Sequence, residues 1–298
     1  MLFLIGLGLG DAKDITVRGL EIVKSAGKVY LENYTSILCC DKAELEKFYG
    51  KTIELVDREL MEQGCDVILE SAATEDVAVL IVGDPLNATT HTDLLLRAAS
   101  RNIPFKVVHN ASILNAVACC GLQIYNFGET VSIPFWTDTW KPESFYDKIL
   151  KNQANSLHTL CLLDIKVSEP NLELMVRGIR KMEPPRFMSI SQAAEQLLAI
   201  IKDRKNNSSH VENETNIEQS HREDGHNIAL NESSLCIGLA RVGSDKQEVF
   251  QTTLSEAASL DLGPPLHSLV IPAKMHPLEE EMLNVLSKRN LGKTSSLQ

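Results

Sequence analysis

Three short stretches carry the residues best placed for chemistry. Gly6-Leu7-Gly8-Leu9-Gly10-Asp11 follows one apolar run, Gly83-Asp84-Pro85-Leu86-Asn87-Ala88-Thr89-Thr90-His91 a second, and His109-Asn110-Ala111-Ser112-Ile113 a third. Glycine has no Cβ and tolerates positive φ, so such turns let a ligand approach the backbone closely. The first stretch departs from the dinucleotide fingerprint G-x-G-x-x-G. Its third glycine, Gly10, comes one place early, and Asp11 stands where the fingerprint needs a glycine. A carboxylate there repels a pyrophosphate, so this loop is expected to meet a ligand without cradling phosphates. In the second stretch Asp84 is placed to accept hydrogen bonds from hydroxyl or amino groups, and Pro85 stiffens the turn. A plain turn, with Thr90 capping the next helix, is the competing role. Asp164 interrupts the apolar run Leu160-Cys161-Leu162-Leu163-Asp164-Ile165, as either a partnered buried acid or the end of a strand. No Ser-His-Asp or Cys-His spacing stands out, and the P-loop, H-E-x-x-H and EF-hand patterns are absent. Binding turns without a nucleophile point to a cofactor that brings its own reactive group, the protein supplying position and electrostatics.

The elements that must hold these turns alternate. Strands are expected at residues 2–5, 28–31, 77–82 and 105–109, and helices from 16 to 23, 43–48, 58–63 and 93–100. Val77-Ala78-Val79-Leu80-Ile81-Val82 is apolar throughout, as a strand in a sheet covered on both faces requires. That pattern defines an open, doubly wound α/β domain over 1–111. From residue 112 the spacing is more mixed. A short helix is expected at 113–120, strands at 130–133, 159–165, 235–242, 248–253 and 268–271, and helices at 143–151, 172–179, 192–201 and 278–286. This is a second α/β domain, 112–298. Residues 203–233 have almost no apolar periodicity and are rich in Asn, Glu, Ser and His, so they are expected to form a disordered surface insertion. His210, His221 and His226 lie in it without an i, i+4 pair or a nearby cysteine, and no metal site is expected.

A formal net charge of -11 argues against a nucleic-acid or anionic-membrane partner. No apolar run approaches the roughly 18 residues of a transmembrane helix. The N-terminus lacks a basic region, and Asp11 and Lys13 come too soon for a signal peptide. Seven cysteines with no C-x-x-C read as reduced thiols of a cytoplasmic protein.

Eight segments together carry a resemblance to a known family. They are LIGLGLGDAKDITVRGLE, GDPLNATTH, HNASILNAVACCGLQ, YNFGETVSIPFWTDTWKPESFYDKI, HTLCLLDIKV, EPPRFMSISQAAEQLL, GLARVGSD and LGPPLHSLVI. The chain resembles the tetrapyrrole methylases, the class III S-adenosylmethionine methyltransferases, over nearly its whole length except 203–233 and the tail. The match is to the branch that modifies translation elongation factor 2. The resemblance implies two α/β domains with S-adenosyl-L-methionine folded into a cleft between them. It also implies a protein substrate, translation elongation factor 2, methylated on a histidine that already carries a 3-amino-3-carboxypropyl group. Four methyl transfers are expected, three to the amine and one to the carboxylate. By the same resemblance the cofactor positions are Leu9, Asp84, Asn87, Ser112, Ile113, Leu163, Val242 and His267, and a homodimer is implied. The family pattern G-D-P-F-G-A-T-T-H is altered here at Leu86 and Asn87. Asparagine replaces glycine best at positive φ, so Asn87 is expected to keep the turn. No general base is assigned. Other readings are a methylase of a small tetrapyrrole, a nicotinamide oxidoreductase and a non-catalytic binding module.

Overall fold

The continuously apolar stretches of the first hundred residues line up as a parallel sheet. The computed structural model describes residues 1–167, 178, 181–211 and 230–294. Twelve strands occur among them: β1 Leu2–Gly6, β2 Lys28–Glu32, β3 Glu54–Val56, β4 Val77–Ile81, β5 Phe105–Val108, β6 Val131–Ile133, β7 Thr159–Leu163, β8 Ile165–Lys166, β9 Arg186–Phe187, β10 Leu235–Ala240, β11 Glu248–Thr253 and β12 His267–Ile271. The chain divides into two units. The first comprises Met1–Ala116, Ile165–Arg186 and Arg241–Gln247, and the second Val117–Asp164, Phe187–Ala240 and Glu248–Gln298.

In the first unit the strand order is β3-β2-β4-β1-β5, with every pairing parallel. Successive side chains of a strand face opposite ways, and the sheet uses both faces. Leu2, Leu4, Val77 and Val79 pack with Ile68, Leu69, Leu94 and Leu95 on one side. Phe3, Ile5, Ala78 and Leu80 pack with Val23, Leu45 and Tyr49 on the other. β1 and β4 are therefore buried along their whole length, which explains why their sequences show no polar alternation. Local signals start the helices. Thr16 Oγ1 accepts from the Gly19 N–H ahead of Val17–Ser25, and Asp41 with Glu44 forms a capping box at Lys42–Tyr49. Elements additional to the expected ones include an edge strand and a helix. β3 is a three-residue edge strand with only Val56 buried, too short to show alternation. The helix Asp66–Thr74 has Cys65 at its N-cap, with no side-chain cap bond.

The second unit is a mixed sheet in the order β11-β10-β12-β7-β6, antiparallel except for β6 with β7. Ile133, Ile149, Leu197, Ile200 and Leu269 are among the residues of its core. Two expected strands end early for identifiable reasons. The run at 159–165 breaks at Asp164, whose N–H donates to Ile133 O at 3.2 Å and whose Oδ2 accepts from the Phe135 N–H at 2.9 Å. It is thus a strand end with a partnered carboxylate. The run at 235–242 stops at Ala240 because Arg241 takes a φ of 51°, which leaves the extended region.

The helix expected at 192–201 runs from Ile190 to Val211. Residues 203–211 of the stretch read as a disordered insertion therefore continue it, while 212–229 lie outside the described residues. The helix expected at 172–179, apart from residue 178, and His221 and His226 also fall outside them. Propensity allows this extension, since Asp, Arg and Lys are tolerated in helices, and Arg204 anchors it. Its guanidinium pairs with Asp147 Oδ1 at 2.7 Å and Glu143 Oε2 at 3.4 Å, and lies 4.6 Å from the centroid of the Tyr146 ring. The side chain is about two-fifths exposed, so solvent screens the pairs. We expect Arg204→Ala to cost about 1 kcal/mol, partly through the ring contact. Urea unfolding that shows no change in midpoint would mean that this end of the helix adds nothing to the fold.

Candidate active site

β4, β1 and β5 are neighbours in the parallel sheet, and the three chemistry-bearing stretches leave their carboxyl ends. Ligands of open α/β sheets bind there, where the strand order reverses. The loops are cross-linked before any ligand is considered. Gly8 and Gly83 exchange backbone bonds, Gly8 N–H to Gly83 O at 3.2 Å and Gly83 N–H to Gly8 O at 2.7 Å. Their φ values of 76° and 79° are ones that L side chains resist. Asn110 joins the third loop to the first, because its Nδ2 donates to Gly6 O and to Asp14 O, both at 2.9 Å. Asp14 Oδ2 in turn accepts from the Gly10 N–H at 2.7 Å.

Asp84 ties the second loop to the third. Its Oδ1 accepts from the Leu86 N–H at 2.9 Å, and its Oδ2 accepts from the Asn110 N–H at 3.1 Å and lies 2.8 Å from His109 Nδ1. The residue is 4% exposed, so this carboxylate is oriented by the protein itself. Asn87 Nδ2 donates to Ser112 Oγ at 2.8 Å, which brings two of the sequence-derived cofactor positions into direct contact. Ser112 is buried, and Ile113 opens the four-residue helix Ile113–Ala116. The segment 241–247 closes on the first loop. A Cβ on Gly243 would stand 2.7 Å from Leu9 Cβ, so Val242 is carried next to Leu9.

One expectation changes in detail. Beyond Gly83, the positive φ of the GDPLNATTH turn falls on Ala88, at 56°, and not on Asn87. The turn is closed at Asn87 by its N–H to Asp84 O at 3.3 Å, which leaves Asn87 free to use its side chain toward Ser112. Gly10 of the first loop has a packing role as well. The place of a Cβ on Gly10 is taken by Gly243 O at 2.7 Å and Asp14 Oδ2 at 2.9 Å. Here the missing side chain lets the chain pack on itself.

Six of the eight sequence-derived positions thus gather in the first unit: Leu9, Asp84, Asn87, Ser112, Ile113 and Val242. Leu163 and His267 lie in the second unit and also share a place. Ser268 pairs with Leu162 across β12 and β7, which puts Leu163 and His267 at the same end of that strand pair. His267 Nε2 is 3.2 Å from Pro264 O. The sequence reading did not single out Asn110 or Asp14, although a side-chain amide directly after a strand end was a usable signal. It also gave no role to His91, which is 2% exposed with Nδ1 3.2 Å from Pro85 O. Burial holds the His91 imidazole below its usual pKa, against the opposing field of Glu32.

Half-buried Leu9, Ile113 and Val242 beside a hydroxyl and an amide make an amphipathic rim. That mixture fits an adenosine with an apolar ring face and hydrogen-bonding edges. Asp11 and Asp14 in the first loop do not suit a pyrophosphate.

The family model of tetrapyrrole (corrin/porphyrin) methylases matches residues 1–258. The chain belongs to this family and is an S-adenosylmethionine-dependent methyltransferase. It is 56% identical over 288 residues to the mouse diphthine methyl ester synthase, with 96% of each chain covered. The human protein of that name is 55% identical, covering 96% of this chain and 95% of its own. Among solved structures, a chain from Entamoeba histolytica assigned as a diphthine synthase has a TM-score of 0.79 at 42% identity, covering 96% of this chain and 98% of that one. A second diphthine synthase structure gives 0.75 at 31%, covering 96% of both chains.

Proposed function

We propose that this chain methylates the 3-amino-3-carboxypropyl-histidine of translation elongation factor 2, adding four methyl groups to give diphthine methyl ester. The observation that carries this reading is identity above one half, over nearly the full length of both chains, to proteins named diphthine methyl ester synthase. S-adenosyl-L-methionine supplies an activated methyl, so the protein needs no nucleophile of its own. Its task is to orient the acceptor and keep water away. Leu9, Ile113 and Val242 supply apolar walls. Ser112 and Asn87, held by their mutual bond, present a hydroxyl and an amide, and Asp84 sets the loops that carry them. Leu163 and His267 complete the proposed cofactor set.

Mass spectrometry of elongation factor 2 bearing the aminocarboxypropyl group, incubated with the protein and cofactor, tests the proposal. A gain of four methyl groups is the expected result. No gain, together with methylation of a porphyrinoid, would replace it with the small-tetrapyrrole reading. We further propose a cytoplasmic homodimer. On the helix Pro277–Thr294 the exposed Leu278, Met282 and Val285 recur at intervals of four and three residues, and Tyr125 is exposed as well. That apolar stripe suits a partner subunit. Light scattering at micromolar concentration that gives a monomer would overturn the dimer.

A further inference from the structure

His109 stands where the three loops of the first unit meet. It is the first residue after β5 and opens the third loop. Its Nδ1 lies 2.8 Å from Oδ2 of Asp84 in the second loop. The next residue, Asn110, reaches the first loop through its bonds to Gly6 O and Asp14 O. A little further on, Ser112 is joined to Asn87. Asp84 is buried, whereas the His109 side chain is 66% exposed.

The partners of Asp84 fix the tautomer of the ring. Its Oδ2 also accepts from the Asn110 N–H at 3.1 Å, so it is an acceptor toward His109 and the ring proton sits on Nδ1. In the neutral imidazole Nε2 then carries the free lone pair. A buried carboxylate that selects the tautomer and orients the ring, with the other nitrogen open to solvent, is the arrangement of a general base. His91, the other histidine of these loops, offers no such nitrogen, because its Nε2 is buried.

The reaction proposed above needs a base for only some of its steps. At neutral pH a primary amine is an ammonium without a lone pair. Three transfers to the nitrogen release three protons in total, whereas transfer to the carboxylate releases none. We propose that His109 Nε2 is the base that takes those protons, with Asp84 as the residue that positions it. The inference rests on the proposed function and adds a catalytic residue to it. In each nitrogen step the ammonium gives a proton to Nε2, and the electron pair of its N–H bond becomes the lone pair. From that pair the N–C bond forms as the sulfonium S–C bond breaks, its electrons remaining on sulfur. The imidazolium then releases its proton to water, which the exposure of His109 permits.

The test compares wild type with His109→Asn in single turnovers on two forms of elongation factor 2. One form bears the free amine, and the other is already trimethylated. Asparagine can keep an N–H donor near the Nδ1 position, toward Asp84, but has nothing at Nε2. Amine methylation is expected to slow at least about tenfold, while ester formation stays within about twofold. Cofactor affinity by calorimetry should not move, and imidazole added to His109→Ala should restore the amine step in part. A readout without turnover comes from protein labelled with 15N-histidine. Its neutral His109 ring, assigned by the signals lost in His109→Asn, should carry the proton on Nδ1. A proton on Nε2, equal slowing of both steps, or slowing of neither would overturn the base. Wild-type protein that methylates neither form would instead refute the proposed function, and the inference with it.

Discussion

Glu279→Ala is expected to destabilise the second unit more than any other single change considered. Glu279 is fully buried at the start of the helix Pro277–Thr294. Its Oε1 accepts from the Gln123 N–H at 2.7 Å and from Asn126 Nδ2 at 3.3 Å, and its Oε2 accepts from the His276 N–H at 2.6 Å. His158 adds a fourth donor. Its Nδ1 accepts from the Ala273 N–H at 2.9 Å, which leaves the proton on Nε2, 3.3 Å from Glu279 Oε1. Removing the carboxylate orphans these donors at roughly 1–3 kcal/mol each, and some will recover water, so a loss of about 3–5 kcal/mol is expected. At a few degrees per kcal/mol the melting temperature should fall by roughly 10 °C.

Acid adds a second signature. Burial pushes the Glu279 pKa up, but the Gln123 and His276 N–H groups, Asn126 and His158 outweigh it and hold the group below its ordinary 4.5. A carboxyl with a depressed folded pKa adds stability that is complete above the unfolded pKa and is lost as pH falls through the folded one. The stability gap between wild type and Glu279→Gln should therefore be widest near neutrality and shrink below about pH 4.5. Urea midpoints measured across that range check it, and a gap that grows with acid would mean that the carboxyl is not ionised in the fold.

Asp84→Asn should lower both stability and cofactor affinity. The two carboxylate oxygens accept from the Leu86 and Asn110 N–H groups, and asparagine offers a single acceptor. If its oxygen keeps Leu86, its NH2 faces the Asn110 N–H, and a buried charge-assisted bond worth about 1.5–3 kcal/mol is lost. The same tie positions Asn87 and Ser112, so cofactor affinity should fall about tenfold to a hundredfold, or roughly 1.4–2.8 kcal/mol. Calorimetric titration beside a melting curve separates the contributions. A lower melting temperature with unchanged affinity would leave Asp84 as a turn residue alone. An unchanged melting temperature would contradict the hydrogen bonds described here.

The apolar runs that became β1 and β4 were legible because a strand buried on both faces has no polar side to obscure it. The turns after β1, β4 and β5 were legible because glycine, proline and small polar residues punctuate strand ends. Contact of Asn87 with Ser112, and of Gly243 with Leu9, was not. Those partners are 25 and more than 230 positions apart, and only the parallel sheet order β4-β1-β5 and the packing of 241–247 bring them together. Residues 203–211 misled for a related reason. Their helix is held by Arg204 against Asp147, Glu143 and Tyr146, and periodicity within a segment carries no record of a partner elsewhere in the chain.

The sequence by itself determined the α/β class and the three loops, since each depends on residue type and local spacing. Only the tertiary structure decided that Asp84 is held by protein donors, that Ala88 and not Asn87 is left-handed, and that His91 is buried with one ring nitrogen unpaired. Those outcomes depend on which buried polar atoms find partners. That balance is settled only when distant segments have packed and water has been excluded.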